Sequence, residues 1–126
     1  MTAALNEASA QGNVDAPHAR LIETAGLETA LQAFADARHW QQYHTPKNLA
    51  MALSVEVAEL VEIFQWQTDA EAQTVMQTTE ARHVEQELAD IAMYLVRLSS
   101  VLGVDLNRAV ADKLVMNAQK SPAPPA

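Results

Sequence analysis

From Leu27 onward the apolar residues recur every third or fourth position, and no stretch alternates as a strand would. Leu27, Leu31, Phe34 and Ala35 mark a first helix from about Leu27 to Trp40. A second begins at Thr45-Pro46, an N-cap followed by a proline at the first helical position, where a missing N–H is harmless. Leu49, Leu53, Val57, Leu60 and Phe64 carry it to about Trp66. Thr68-Asp69 restarts a short helical segment through about Met76. The longest pattern spans about Thr79 to Leu102, with Leu88, Ile91, Leu95, Leu98 and Leu102 as its stripe and Gly103 just past its end. Asp105 can cap a last helix, Leu106 to about Gln119, with Leu106, Val110, Leu114 and Val115 on its apolar face. Helices joined by short loops predict an all-α fold, an antiparallel four-helix bundle-like domain.

The ends depart from this pattern. Residues 1–20 hold Pro17 and no apolar period and read as a disordered N-terminal tail; Ser121 to Ala126 holds three prolines and reads as a C-terminal tail. The helical domain is expected over residues 21–120. At 126 residues the chain is one domain, and a core this small is often completed by assembly into a homo-oligomer.

Composition narrows the chemistry. The chain has no cysteine, which rules out disulfides and thiolate metal sites. Its net charge of −8, with no lysine or arginine cluster, argues against nucleic acid as a partner, because such binding depends on neutralising phosphates. No apolar run approaches the roughly 20 residues of a membrane span, and the N-terminus lacks a signal-peptide layout. The expectation is a soluble, cytoplasmic protein.

Two acidic pairs then stand out, Glu56-x-x-Glu59 and Glu87-x-x-Asp90. Three-residue spacing puts both carboxylates of a pair on one helix face. Both pairs are flanked by apolar residues, so in an antiparallel hairpin the four anions would repel and lose hydration unless a cation joined them. Hard divalent cations take carboxylate oxygens, so Mg²⁺, with Mn²⁺ as a substitute, is the expected cofactor. Glu62 continues the first series at the edge of the stripe, as an extra ligand or a base that orients water. The plain alternative is a solvated acidic stripe on a non-catalytic helical oligomerisation module. Glu80-x-x-His83 is half of the paired motif of di-iron bundles, and only one copy is present.

Trp40 and Trp66 flank the second helix and either pack in the core or offer a flat face to a nucleobase. His44, Lys47 and Asn48 at the start of that helix could meet phosphate or base. Lys113 and Asn117 share a face of the last helix and could steady phosphate oxygens.

The run from Trp40 through His44, Pro46, Glu56, Glu59 and Glu62 to Phe64-Gln-Trp66 resembles the MazG-like all-α nucleoside triphosphate pyrophosphohydrolases, most closely their compact dCTP pyrophosphatase branch. Glu85-Gln-Glu87-Leu-Ala-Asp90-Ile-Ala-Met-Tyr94, Val104-Asp105-Leu106 and Lys113-Leu-Val-Met-Asn117 continue the likeness, which covers roughly Leu27 to Pro122. The resemblance implies Mg²⁺ on Glu56, Glu59, Glu87 and Asp90, base contacts from Trp40, His44, Trp66 and Tyr94, and a homotetramer built from dimers. The activity it implies is conversion of a dNTP, dCTP or a modified dCTP, to dNMP and pyrophosphate, clearing unwanted nucleotides from the pool. Catalysis then falls to Glu59 or Glu62 as water-orienting carboxylates and to Lys113, with Asn117 on the phosphates. The chain departs from that branch at Ala58, where glycine is frequent, at Leu31, where a polar residue is usual, and at Ser121, where tyrosine is common.

Overall fold

The structure is a computed structural model that describes residues 20–126. The expected N-terminal tail therefore lies outside the described residues, Arg20 apart. All regular structure among the described residues is helical: α1 (Ala25–Ala37), a 3-10 turn (Gln41–Tyr43), α2 (Pro46–Phe64), α3 (Asp69–Gln73), a second 3-10 turn (Val75–Gln77), α4 (Ala81–Leu102) and α5 (Leu106–Lys120).

Several termini have a local cause. The Thr45 side chain accepts from the Asn48 N–H and starts α2 with Pro46 in its first turn. Thr68 and Glu71 form a reciprocal capping box at α3. Asp105 accepts from the Arg108 N–H at α5. Gly103 takes φ +72° and closes α4, the left-handed conformation that glycine adopts without a Cβ penalty. The first helix ends sooner than its pattern suggests. His39 has φ +56° and the Trp40 N–H turns back to the Ala35 carbonyl, so Trp40 leaves the helix and leads into the 3-10 turn.

The chain divides into two compact units, and residues 27–103 form the larger. Within it α2 packs along α4. His44 meets Arg97, Glu56 feels the charge of Asp90 and Glu59 that of His83, so residue numbers rise along one helix as they fall along the other. The pair is antiparallel. Ala35, Leu49, Val75, Val84 and Val96 make its buried apolar centre. The stripe expected on α4 is only partly inward: Leu88, Leu95 and Leu102, seven apart, are exposed, while Val84, Glu87 and Val96 are buried. On α2, Met51, Val55 and Val61 are likewise exposed opposite the buried Leu49. Apolar periodicity marks faces that leave water, whether against the same chain or another.

The smaller unit joins residues 20–26 to residues 104–126. Asn107 Oδ1 accepts from the N–H groups of Leu21 and Ile22 at 2.9 and 3.0 Å. Ala111 is the buried residue of α5; Leu106 and Val110 are half-buried, whereas Leu114 and Val115, expected on the inner face, are exposed. Residues 121–126 carry no regular structure.

Candidate active site

Two turns of α2 and one of α4 supply the acidic residues. One carboxylate oxygen from each of Glu56, Glu87 and Asp90 lies within 4.8 Å of the others. Glu87 is only 6 % exposed, and its Oε1 is buried without a hydrogen-bond partner. Two carboxylates offer each other only acceptors, so either a proton or a cation must lie between them. Without a cation the balance tips toward the proton: the Glu56 carboxyl is pushed up to about 7, chiefly by side-chain hydrogen bonding to Glu87, then by burial and by the charges of Glu59, Glu87 and Asp90. The Glu59 carboxyl is also raised, mainly by the Glu87 charge, then by burial, with His83 opposing. An all-oxygen donor set with one buried oxygen unanswered fits a hard divalent cation.

Of the four carboxylates expected to bind metal, three therefore converge, and Glu59 adjoins them beside Glu87. Glu62 is exposed on the next turn of α2. His83 lies beside the cluster: its Nε2 is 3.4 Å from Glu87 Oε2 and its Nδ1 is 3.3 Å from Glu80 Oε1, so it braces Glu87 from the N-terminal side of α4.

A cavity of about 390 Å³ opens next to this cluster and shares Asp90 with it. Leu27, Ala30, Leu31 and Phe34 of α1 give it an apolar wall. Trp40 and His44 from the segment before α2 and Met93, Tyr94 and Arg97 from α4 complete it. Trp40 meets Phe34 edge to face with ring centroids 5.6 Å apart, and the Arg38 guanidinium covers the Phe34 ring at 3.4 Å. Three of the aromatic and imidazole side chains expected at a base, Trp40, His44 and Tyr94, thus line one cavity. Trp66 is elsewhere, two residues past α2 and 88 % exposed, which rules out a place in the core of this chain. Asn48 is held locally, donating from Nδ2 to the Tyr43 carbonyl at 3.1 Å. Lys113 and Asn117 stand on an exposed face of α5, in the smaller unit.

Arg97 was missed by the sequence reading. The signal existed: Asp90, Tyr94 and Arg97 follow the i, i+4, i+7 rule and share one face of α4. That spacing places Arg97 on the face but not in the interior, and because arginine is rarely buried a solvated charge is the default expectation.

Comparison with known proteins agrees with this architecture. The MazG-like family profile matches residues 51–126, and the chain belongs to that family. Among individual proteins, the chain is 46 % identical over 90 residues to dCTP pyrophosphatase 1 of Rattus norvegicus and 43 % identical over 91 residues to that of Homo sapiens. Each match covers 71 % of this chain but 53 % and 54 % of those proteins, so the chain spans about half the length of the curated relatives it matches. The crystal structure of a pyrophosphatase from Archaeoglobus fulgidus superposes with a TM-score of 0.73 at 42 % identity, covering 78 % of this chain and 91 % of that one. No helix among the described residues is long and apolar enough to cross a membrane.

Proposed function

We propose that this protein is a metal-dependent nucleoside triphosphate pyrophosphohydrolase, converting a dNTP to dNMP and pyrophosphate. One observation carries the reading: Asp90 belongs both to the convergent carboxylates and to the apolar, aromatic-lined cavity. A ligand with a phosphate chain on the carboxylate side and a flat ring in the cavity matches both halves. The similarity to dCTP pyrophosphatases makes dCTP, or a modified dCTP, the substrate of choice.

In this reading Glu56, Glu87 and Asp90 hold Mg²⁺, with Glu59 alongside. Bound there, Mg²⁺ supplies charge neutralisation for the triphosphate oxygens and acidifies water. Glu59, its basicity raised by Glu87, or the neighbouring Glu62, orients a water and takes its proton as the oxygen attacks the α-phosphorus. The bond to the bridging oxygen breaks and pyrophosphate leaves. Trp40, His44 and Tyr94 hold the base, with Trp66 as a second stacking face, and Lys113 and Asn117 are the phosphate-contacting groups that α5 offers. The exposed stripes on α2 and α4 support self-assembly, which this reading takes to be a homotetramer of paired dimers, and the reaction is placed in the cytoplasm. A helical assembly module without activity would also use those stripes, but it leaves the unanswered Glu87 oxygen without a purpose.

The test is a product assay with γ-labelled triphosphates of common and modified bases and Mg²⁺. Label leaving in pyrophosphate supports the proposal; orthophosphate as first product overturns it.

A further inference from the structure

Arg97 is 5 % exposed, and both side chains that accept from it are neutral. Its Nε donates to His44 Nδ1 at 3.0 Å, and a terminal N–H donates to Gln32 Oε1 at 2.8 Å. A guanidinium carries five donors and no acceptor and keeps its charge throughout the usual pH range. The His44 nitrogen facing it must therefore be bare. Burial, with the Arg97 charge second, pulls the His44 imidazole below its ordinary value, so the ring is neutral and its single proton sits on Nε2.

The cavity makes this consequential. Its α1 wall, from Leu27 to Phe34, offers only carbon side chains, so the polar reading of a ligand falls to the Trp40 indole N–H, His44 and the α4 residues. Of these only His44 could switch between donor and acceptor by tautomer. Left to itself a neutral imidazole exchanges tautomers and presents a donor or an acceptor; against Arg97 it presents only a donor.

We propose that Arg97 is a positioning residue that fixes His44 in its Nε2–H tautomer, so that the cavity selects a base with an acceptor, a carbonyl oxygen or bare ring nitrogen, at that edge. The selection rests on the proposed pyrophosphohydrolase reading; the lock itself does not. Gln32 completes the device by holding the far side of the guanidinium from α1.

The experiment is long-range ¹H–¹⁵N correlation on histidine-labelled protein without metal or nucleotide, with His44→Gln identifying the His44 signals among the four histidines. In the wild type, Nδ1 should have the shift of an unprotonated nitrogen and Nε2 that of a protonated one. Arg97→Met should give a tautomer mixture. Arg97→Lys, which keeps a donor-only cation, should restore the wild-type pattern. In parallel, Arg97→Met should raise KM for dCTP about two- to tenfold, the worth of one neutral hydrogen bond, with kcat nearly kept. Competition by Mg²⁺-tripolyphosphate, which has no base, should be unchanged. A protonated Nδ1 in the wild type overturns the lock even if no variant folds. An unchanged tautomer in Arg97→Met does the same, and a lost lock with unchanged KM overturns its role in recognition. A wild type that hydrolyses no nucleotide sinks the enzymatic reading, while the spectrum still decides the lock.

Discussion

Glu56 and Glu87 bring two acceptor-only groups together from facing helices, and Glu87 Oε1 is sealed from water without a partner. In metal-free protein the proton that joins them stays on until about pH 7, whereas an unfolded glutamate loses it near 4.5. Between those values the native state binds more protons than the unfolded one, so this pair's contribution to stability falls as pH rises. Metal-free melting temperatures should decline from pH 5 to pH 7.5 more steeply in the wild type than in Glu56→Gln. Equal slopes in both proteins would detach the effect from Glu56.

Metal reverses that dependence. Mg²⁺ competes with the shared proton, so its stabilising effect should grow from pH 5.5 to 8, and the melting shift measured with and without Mg²⁺ checks it. Asp90→Asn and Glu59→Gln should fold and lose nearly all turnover, and only Asp90→Asn should also abolish the Mg²⁺-induced shift. Near wild-type hydrolysis by either variant at saturating Mg²⁺ contradicts its assigned role.

Much of this was legible because local rules dominate in helical chains. Thr45-Pro46, Thr68, Gly103 and Asp105 each act through contacts within a few residues, and each marks a terminus as its type predicts. The three-residue spacing of the acidic pairs likewise fixed which carboxylates share a face. What sequence could not separate was a face turned to its own chain from one turned outward: Leu88, Leu95 and Leu102 satisfy the same period as Val84 and Ile91. Nor could it find the cavity, because Phe34, His44 and Arg97 meet only after α1 and the turn before α2 are folded against α4.

The outward leucines allow a direct test. Leu95 sits midway along the exposed stripe of α4, so Leu95→Glu puts a charge on that face without opening the buried centre. Light scattering should show the wild type as a homo-oligomer and Leu95→Glu as a smaller species with helical circular dichroism retained. A wild type that is monomeric at micromolar concentration removes the basis for the tetramer.

Gly103 offers a test of the backbone alone. A Cβ built there meets nothing within 4 Å, so Gly103→Ala costs only the left-handed conformation. That penalty is about 1–2 kcal/mol, read as a lower denaturant midpoint with an unchanged slope.

Trp66 and Trp40 separate packing from binding. Trp66 is 88 % exposed, so Trp66→Ala removes almost no buried surface from this chain and should leave the fold of a single subunit intact. Trp40 touches Phe34 and lines the cavity, so Trp40→Ala should cost some stability as well. If both rings stack on the base, each loss removes about 1–3 kcal/mol of binding, roughly ten- to a hundredfold. A stack is made equally in ground and transition states, so the loss should fall on KM with kcat nearly kept. Both variants should be assayed against dCTP and dTTP after circular dichroism confirms their helicity. Because Trp66 has so little to lose in folding, a raised KM in Trp66→Ala with an unchanged melting temperature assigns the ring to substrate. An unchanged KM leaves Trp66 to contacts between subunits, and the assembled mass of the same variant decides that.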